Sequence, residues 1–354
     1  MMIGKKKKKG ESSTGFGAGT ALASAALWTA LLGAAGVYHN IDGMILLLPL
    51  SMVLNMLDNE MRKLEHSPTP TPSPIVQPIP VTTNTTLKIL SYNVCSREDV
   101  EIRKRMEAIG ELIQLHSPHF LCFQEITPNI YKIFQQSSWW GDYCSSMSEE
   151  EASKRQYFCI LLSKFRPVKV ITAPLRNSLV SRELSVTETK VGSNKSLVVA
   201  TSHLKSRRAD PNDPNSQNKL FSRVRLLQAK EALTILQKYS NAYDVIFCGD
   251  MNWNEVEDGE FPLPDGWVDA WTELKGEEEG NTFDTESNEM LKDHPYIIRM
   301  RLDRILCNLK GFRLVNIKII GKDCIPGVFY SRNKKINLPV LPSDHYGLLL
   351  TIRT

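Results

Sequence analysis

The stretch VIFCGDMNW, residues 245–253, decides how this chain is read. Val245 to Cys248 have the length and the β-branched and aromatic content of a buried strand. Gly249 lets the backbone turn tightly where that strand ends, and Asp250 and Asn252 follow two residues apart. A lone Asp after a glycine is more often a turn residue bonded to its own backbone. The stretch gains meaning only if the same arrangement recurs elsewhere.

It does recur. Asn93 closes ILSYNV, Glu125 closes FLCFQE, His203 lies in LVVATSHL, Asp303 in RLDRIL, and Ser343-Asp344-His345 stands just before YGLLLTI. Each of these alone has a plain structural reading, as a cap, a surface residue, a satisfied histidine or a loop. Six polar groups at matching ends of successive apolar runs are hard to explain that way. If those runs are neighbouring strands, their ends surround one crevice, the usual ligand site of a sheet.

The body carrying these motifs is layered. LKILSYNV, HFLCFQE, YFCILLS, SLVVATSHL, YDVIFCGDMN, RMRLDRILC and YGLLLTI are predicted strands, and 101–115 and 221–238 are predicted amphipathic helices. Strands interspersed with helices argue for an α/β or α+β body rather than a bundle. It spans 87–354. Before it, 66–86 hold six prolines and no acidic or basic residue besides His66, the composition of an extended linker. Residues 1–65 are a Lys-rich and apolar extension, with KKKKK ahead of an Ala/Gly-rich run and of MILLLPLSMVLNML. Three readings stand for it: a membrane anchor through 15–57, a targeting segment, and a disordered extension. The lysine run also fits a nuclear-import patch.

Charge and cysteine usage narrow the class. The net charge of +4 owes five charges to Lys5–Lys9, so the rest of the chain is close to neutral. A uniformly basic nucleic-acid-binding body is excluded, whereas a local groove gripping a strand end is not. Seven cysteines with no CxxC pair suit buried free thiols better than a disulfide framework or a zinc site.

The residue types suit metal-assisted phosphoryl transfer. A hard cation needs oxygen ligands, which Glu125 supplies. Asp250 is placed to hold and deprotonate an attacking water, with Asn252 and Asn93 donating to phosphate oxygens. His345, oriented by Asp303 and kept protonated by it, answers the developing negative charge. The Ser343-Asp344 pair adds candidate substrate contacts, with Asp344 also a metal candidate. Trp253 is either a wall of the groove or a packing residue.

The ordered series SYNV, QE, SHL, GDMN, LDRIL and SDH resembles the endonuclease/exonuclease/phosphatase superfamily over essentially all of 87–354. The resemblance implies a four-layered α/β sandwich, with two packed, mostly antiparallel sheets flanked by helices, and activity that depends on Mg²⁺ or Mn²⁺. Further stretches, LLQAKEALTIL, FPLPDGWVDAW, NTFDTESN and VLPSDHYGLLL, are similar to the 5′-tyrosyl-DNA phosphodiesterase branch, its plant members most of all. That likeness implies catalytic roles for Asn93, Glu125, Asp250, Asn252 and His345. It implies contacts from His203 and Ser206 to the DNA backbone, a partner in DNA 5′ ends carrying a tyrosyl or peptide adduct, and a nuclear location in DNA repair. Lys205, Arg207 and Arg208 are candidates to line the groove. The chain departs from the animal enzymes at Asn254, where they have arginine, and its first 86 residues lack the cysteines of an N-terminal zinc finger. Two alternatives remain. One is a phosphatase or phosphodiesterase of the same superfamily acting on a membrane phosphoester, a phosphoinositide or sphingomyelin, anchored with its catalytic body in the cytoplasm. The other is a catalytically silent binding module.

Overall fold

The computed structural model describes residues 85–176, 182–192, 195–207, 214–332 and 336–354. The extension 1–65, with its membrane and nuclear readings, lies outside the described residues, as does the linker apart from Thr85 and Thr86. Among the described residues no helix is long and apolar enough to cross a membrane.

Two six-stranded sheets form the body. In the first, the order is β13 (Arg313–Ile320), β16 (Gly347–Arg353), β1 (Thr86–Asn93), β2 (Phe120–Ile126), β4 (Phe158–Ser163) and β3 (Cys144–Ser145). In the second, it is β5 (Pro167–Pro174), β6 (Glu183–Lys190), β7 (Ser196–His203), β8 (Asp244–Asp250), β12 (Asp303–Asn308) and β9 (Val268–Asp269). Each sheet has one parallel pair, β1/β2 or β7/β8, and is otherwise antiparallel. A parallel pair needs a crossover. Helices α1 (Ile102–His116) and α4 (Pro214–Ser240) supply the two crossovers. The shorter helices are α2 (Pro128–Gln135), α3 (Glu149–Ser153), α5 (Glu255–Asp258) and α6 (Ala270–Lys275). Two small ribbons, β10/β11 (Phe283–Asp284 with Arg299–Met300) and β14/β15 (Phe329–Arg332 with Ile336–Pro339), lie outside the main sheets.

The period-two alternation of the strands sets the layers. Ile246 and Cys248 of β8 face Ile89, Cys122 and Leu161 of the first sheet, forming the core between the sheets. Val245 and Phe247 face the other way, onto Ala229, Ala232, Leu233 and Leu236 of α4. On the first sheet, Leu90, Tyr92, Leu121 and Phe123 pack outward against Met106, Ile109 and Ile113 of α1. The order is helix, sheet, sheet, helix, which is the four-layered sandwich expected from the sequence. All seven cysteines are free and five are buried, as their spacing implied.

The seven predicted strands are present, with one difference. RMRLDRILC is broken at Arg301 and Leu302 into β11 and β12, and Arg301 turns its guanidinium to Asp269 at 2.7 Å. Strands β5, β6 and β13 escape the apolar-run pattern because they carry Lys, Glu, Thr and Asn among their apolar residues.

Gly249 is where β8 ends against β7. Its φ is +147°, and a Cβ there would lie 2.0 Å from the Ser202 carbonyl oxygen. That oxygen is backbone and cannot move aside. Gly249→Ala should therefore cost about 2 kcal/mol or more of stability, read as a lower midpoint in denaturant unfolding. An unchanged midpoint would contradict this packing.

Candidate active site

Sheet topology brings the polar strand ends together. In a parallel pair both carboxyl ends point the same way, so β1, β2, β7 and β8 deliver Asn93, Glu125, His203 and Asp250 to one end of the sandwich. Antiparallel strands reach that end with their first residues. β12 thus contributes Asp303, and the loop before β16 contributes Ser343, Asp344 and His345. In register, Asp250 sits between His203 of β7 and Asp303 of β12.

Asp250, 1% exposed, is the centre. Its Oδ2 accepts from Asn93 Nδ2 at 2.9 Å across the gap between the sheets. The same oxygen lies 3.2 Å from His203 Nε2 and 3.9 Å from His345 Nε2. Its Oδ1 accepts the Asn252 amide at 2.9 Å, closing a tight turn with Asn252 at φ +49°. Beyond this turn Asn252 Nδ2 has only a long 3.5 Å contact to the Leu204 carbonyl, which leaves the amide able to meet a ligand. Asn93 Nδ2 also reaches Glu125 Oε1 at 3.3 Å, and Ser96 donates to Glu125 Oε2 through its amide at 2.9 Å and its hydroxyl at 2.8 Å.

The charges settle into distinct states. Burial raises the Asp250 carboxyl to about 7, and Asp303 adds to the rise, while His345 and the hydrogen bonds from Asn93 and Asn252 oppose it. Burial by itself disfavours a charged His345. The carboxylates of Asp303, bonded to Nδ1 at 2.8 Å, and of Asp250 outweigh that effect and hold the imidazole protonated well above its ordinary range. His203 goes the other way, pushed well below the ordinary range by burial and then by the Arg182 and His345 charges. Its 3.2 Å approach to Asp250 is therefore the polar contact of a neutral ring, although the distance alone would pass for an ion pair.

Among the described residues, two places could hold a divalent metal. Asp250, Asp303 and His345 have ligand atoms within 4.8 Å of one another. A protonated imidazole has no lone pair to give, so this trio suits an acid and base arrangement better than a cation. Glu125 is half-buried, is steadied by three donors and presents only oxygen, which suits a hard ion.

Burial decides between the two readings of Trp253. Trp253 walls no groove: it is fully buried under the second sheet, 4.6 Å from the Phe261 ring, with Nε1 donating to the Gly259 carbonyl. Ser343 is also fully buried, and its hydroxyl donates to the Asn93 carbonyl at 2.6 Å and accepts the His345 amide at 3.2 Å. Its hydroxyl thus links the ends of β1 and of the loop before β16. Asp344 is half-buried beside it, with Oδ1 3.3 Å from Ser343 Oγ, outside the three-residue cluster. Ser206 accepts from Arg182 Nη2 at 3.4 Å. Arg207 is paired with Glu257, and Lys205 Nζ lies 4.3 Å from the Phe221 ring centre. Arg208 falls outside the described residues. Asn254, where arginine was the comparison, caps α5 by accepting from the Val256 amide.

Four residues at the site were not singled out from sequence. Ser96 supports Glu125, and the Phe283 ring meets His345 edge-on at 5.3 Å. Tyr157 meets His203 edge-on at 6.0 Å, and the Arg182 guanidinium lies 5.3 Å over the Tyr157 ring. Tyr157 and Arg182 precede β4 and β6, which reach the site by their first residues. A search for polar groups closing apolar runs passes over such positions.

A sequence model of the Endonuclease/Exonuclease/phosphatase family matches residues 90–345. The chain belongs to this family. It is thus an enzyme that hydrolyses phosphoester bonds. Mus musculus Tyrosyl-DNA phosphodiesterase 2 is 26% identical over 310 residues, covering 83% of this chain and 71% of the mouse protein. The crystal structure of humanized D. rerio TDP2 superposes with a TM-score of 0.61 at 21% identity, covering 76% of this chain and 99% of that one. D. rerio TDP2 complexed with a single-strand DNA product gives 0.59 at 23% identity, covering 76% and 100%. At such identities the structures speak for the fold.

The raised Asp250 carboxyl has a stability consequence. The folded chain binds this proton more tightly than the unfolded chain, so the contribution is fully present below about pH 4 and is lost as pH climbs through about 7. In metal-free buffer, Asp250→Asn should gain on the parent by on the order of 2 kcal/mol between pH 5 and pH 8. Denaturant unfolding of both proteins at the two pH values checks this, and a constant difference would place the proton elsewhere.

Proposed function

We propose that the chain is a Mg²⁺-dependent 5′-tyrosyl-DNA phosphodiesterase, releasing DNA 5′ ends from trapped topoisomerase in nuclear DNA repair. The observation that carries the reading is the convergence of Asn93, neutral His203 and protonated His345 on the buried Asp250 carboxylate. The relatives named above support the substrate, and the chemistry of the site is compatible with it.

In this reading Asp250, ionised, orients a water and takes its proton as the water oxygen bonds to phosphorus. The bond from phosphorus to the tyrosine oxygen breaks in the same displacement. A phenol has an ordinary pKa near 10, so the leaving oxygen needs little help from an acid. His345 donates to the phosphate oxygens as negative charge gathers on them, and Asp303 keeps it oriented and charged. Asn93 and Asn252 supply neutral donors around the same phosphate. Glu125 would hold Mg²⁺, or Mn²⁺ in its place, and the bound cation would neutralise phosphate charge. Tyr157 and Arg182 offer an aromatic edge and a cation beside His203, a wall suited to an aromatic leaving group.

The test is direct. The purified chain, given an oligonucleotide with a 5′-phosphotyrosine, should release tyrosine with Mg²⁺ and not with EDTA. Asp250→Ala and His345→Ala should each lower the rate on the order of a hundredfold or more. Turnover of a phosphoinositide, with none of phosphotyrosyl DNA, would overturn the substrate assignment. Arg182→Ala should slow the phosphotyrosyl substrate by about tenfold, in line with one lost cation contact of roughly 1 to 2 kcal/mol. Equal rates for this variant and the parent would remove Arg182 from the substrate wall.

A further inference from the structure

We propose that Arg105 is a positioning residue for the reaction, its guanidinium locking the loop after β1 to the loop before β16. The effect on catalysis rests on the functional reading above, whereas the lock itself rests on geometry.

Arg105 sits in the first turns of α1 and is fully buried. Its Nε donates to the Pro342 carbonyl at 3.2 Å. Nη1 donates to the carbonyls of Arg97 at 2.8 Å and Val100 at 3.3 Å, and Nη2 to those of Val94 at 2.5 Å and Cys95 at 2.6 Å. A guanidinium has five N–H groups, and here five carbonyls use them. None of these bonds goes to a carboxylate, so this is a charge spent on shaping backbone rather than on an ion pair.

Both loops it grips lead straight into the site. Cys95, held at φ +62°, donates its amide to Asn93 Oδ1 at 3.0 Å. Ser96, the next residue, steadies Glu125 with two hydrogen bonds. Pro342 precedes Ser343, whose hydroxyl joins the Asn93 carbonyl to the His345 amide. One side chain outside the reacting groups thereby sets the spacing between Ser96, which steadies Glu125 of β2, on one loop and His345 on the other. A lysine could not replace it: an ammonium has three donors and no planar fork, so at least two buried carbonyls would lose their partner.

The intact 354-residue chain provides the test. In the parent, native-state hydrogen exchange of the Cys95, Ser96 and His345 amides should report one common opening. Arg105→Lys should lower protection of these three amides at least tenfold while amides in β2, β8 and α4 keep parent values. It should also lower kcat ten- to a hundredfold, with KM changed less than threefold, on any phosphodiester the parent cleaves. If the lysine variant does not fold, Arg105→Gln replaces it, and the common opening in the parent is decisive by itself. Separate openings of His345 and of Cys95–Ser96 in the parent, or a folded Arg105→Lys enzyme with parent kcat, would overturn the proposal. A parent that cleaves no phosphotyrosyl DNA would overturn the functional reading instead, leaving the exchange pattern to decide the lock.

Discussion

A carboxylate buried between two sheets is the constraint on which this site depends. Asp250 is 1% exposed, and an ionised acid there is costly unless neighbours compensate it. The compensation comes from both sheets: Asn93 donates across the gap, His203 of the parallel neighbour lies 3.2 Å away, and the His345–Asp303 pair places a positive ring on the remaining side. Those partners are present only if both sheets keep their registers and their facing. The same carboxylate that ties the layers together is the one whose proton affinity burial has raised into the range useful to a base.

Backbone strain gathers at the same end of the sandwich. Cys95, Glu125 and Asn252 all adopt positive φ without being glycine, and each such residue costs on the order of 1 kcal/mol. The strain is held by groups that do no chemistry. Ser343 buttresses Asn93 and His345, while Arg105 collects five carbonyls. On the far side of Asp250, Arg225 and Asp258 form a fully buried bidentate pair. Asp258 accepts from the Asn254 amide and Arg225 donates to the Lys205 carbonyl, so the loops after β7 and β8 are braced too. The catalytic set is thus a small part of a larger body of polar groups devoted to geometry.

How much could be read in advance follows from what each residue answers to. Val245 to Cys248 answer to burial, and the length and β-branched and aromatic content of the run implied a strand. Asn93, Glu125, His203, Asp250 and Asn252 stand at strand ends in chain order, so their convergence was legible as a pattern. Trp253 and Ser343 show the limit. They sit inside the motifs, yet the pleat turns Trp253 into the outer core against Phe261, and Ser343 is consumed by backbone. Tyr157 and Arg182 show the converse, since they open antiparallel strands instead of closing apolar runs and only assembly brings them to His203.

By itself, the sequence determined the layered α/β body, the order of its strands along the chain and the oxygen-rich, metal-compatible residue set, because these depend on local periodicity and side-chain chemistry. The sequence pointed to a protonated His345 held by Asp303; only the tertiary structure decided that the second imidazole stays neutral. His203 and His345 both approach the same Asp250 oxygen, and nothing in SHL foretells the lost proton. Asp303 lies against His345 and not against His203, and Arg182 stands near His203, so one ring keeps its proton and the other loses it. That difference is a matter of distances between strands far apart in the chain, which periodicity and composition do not encode.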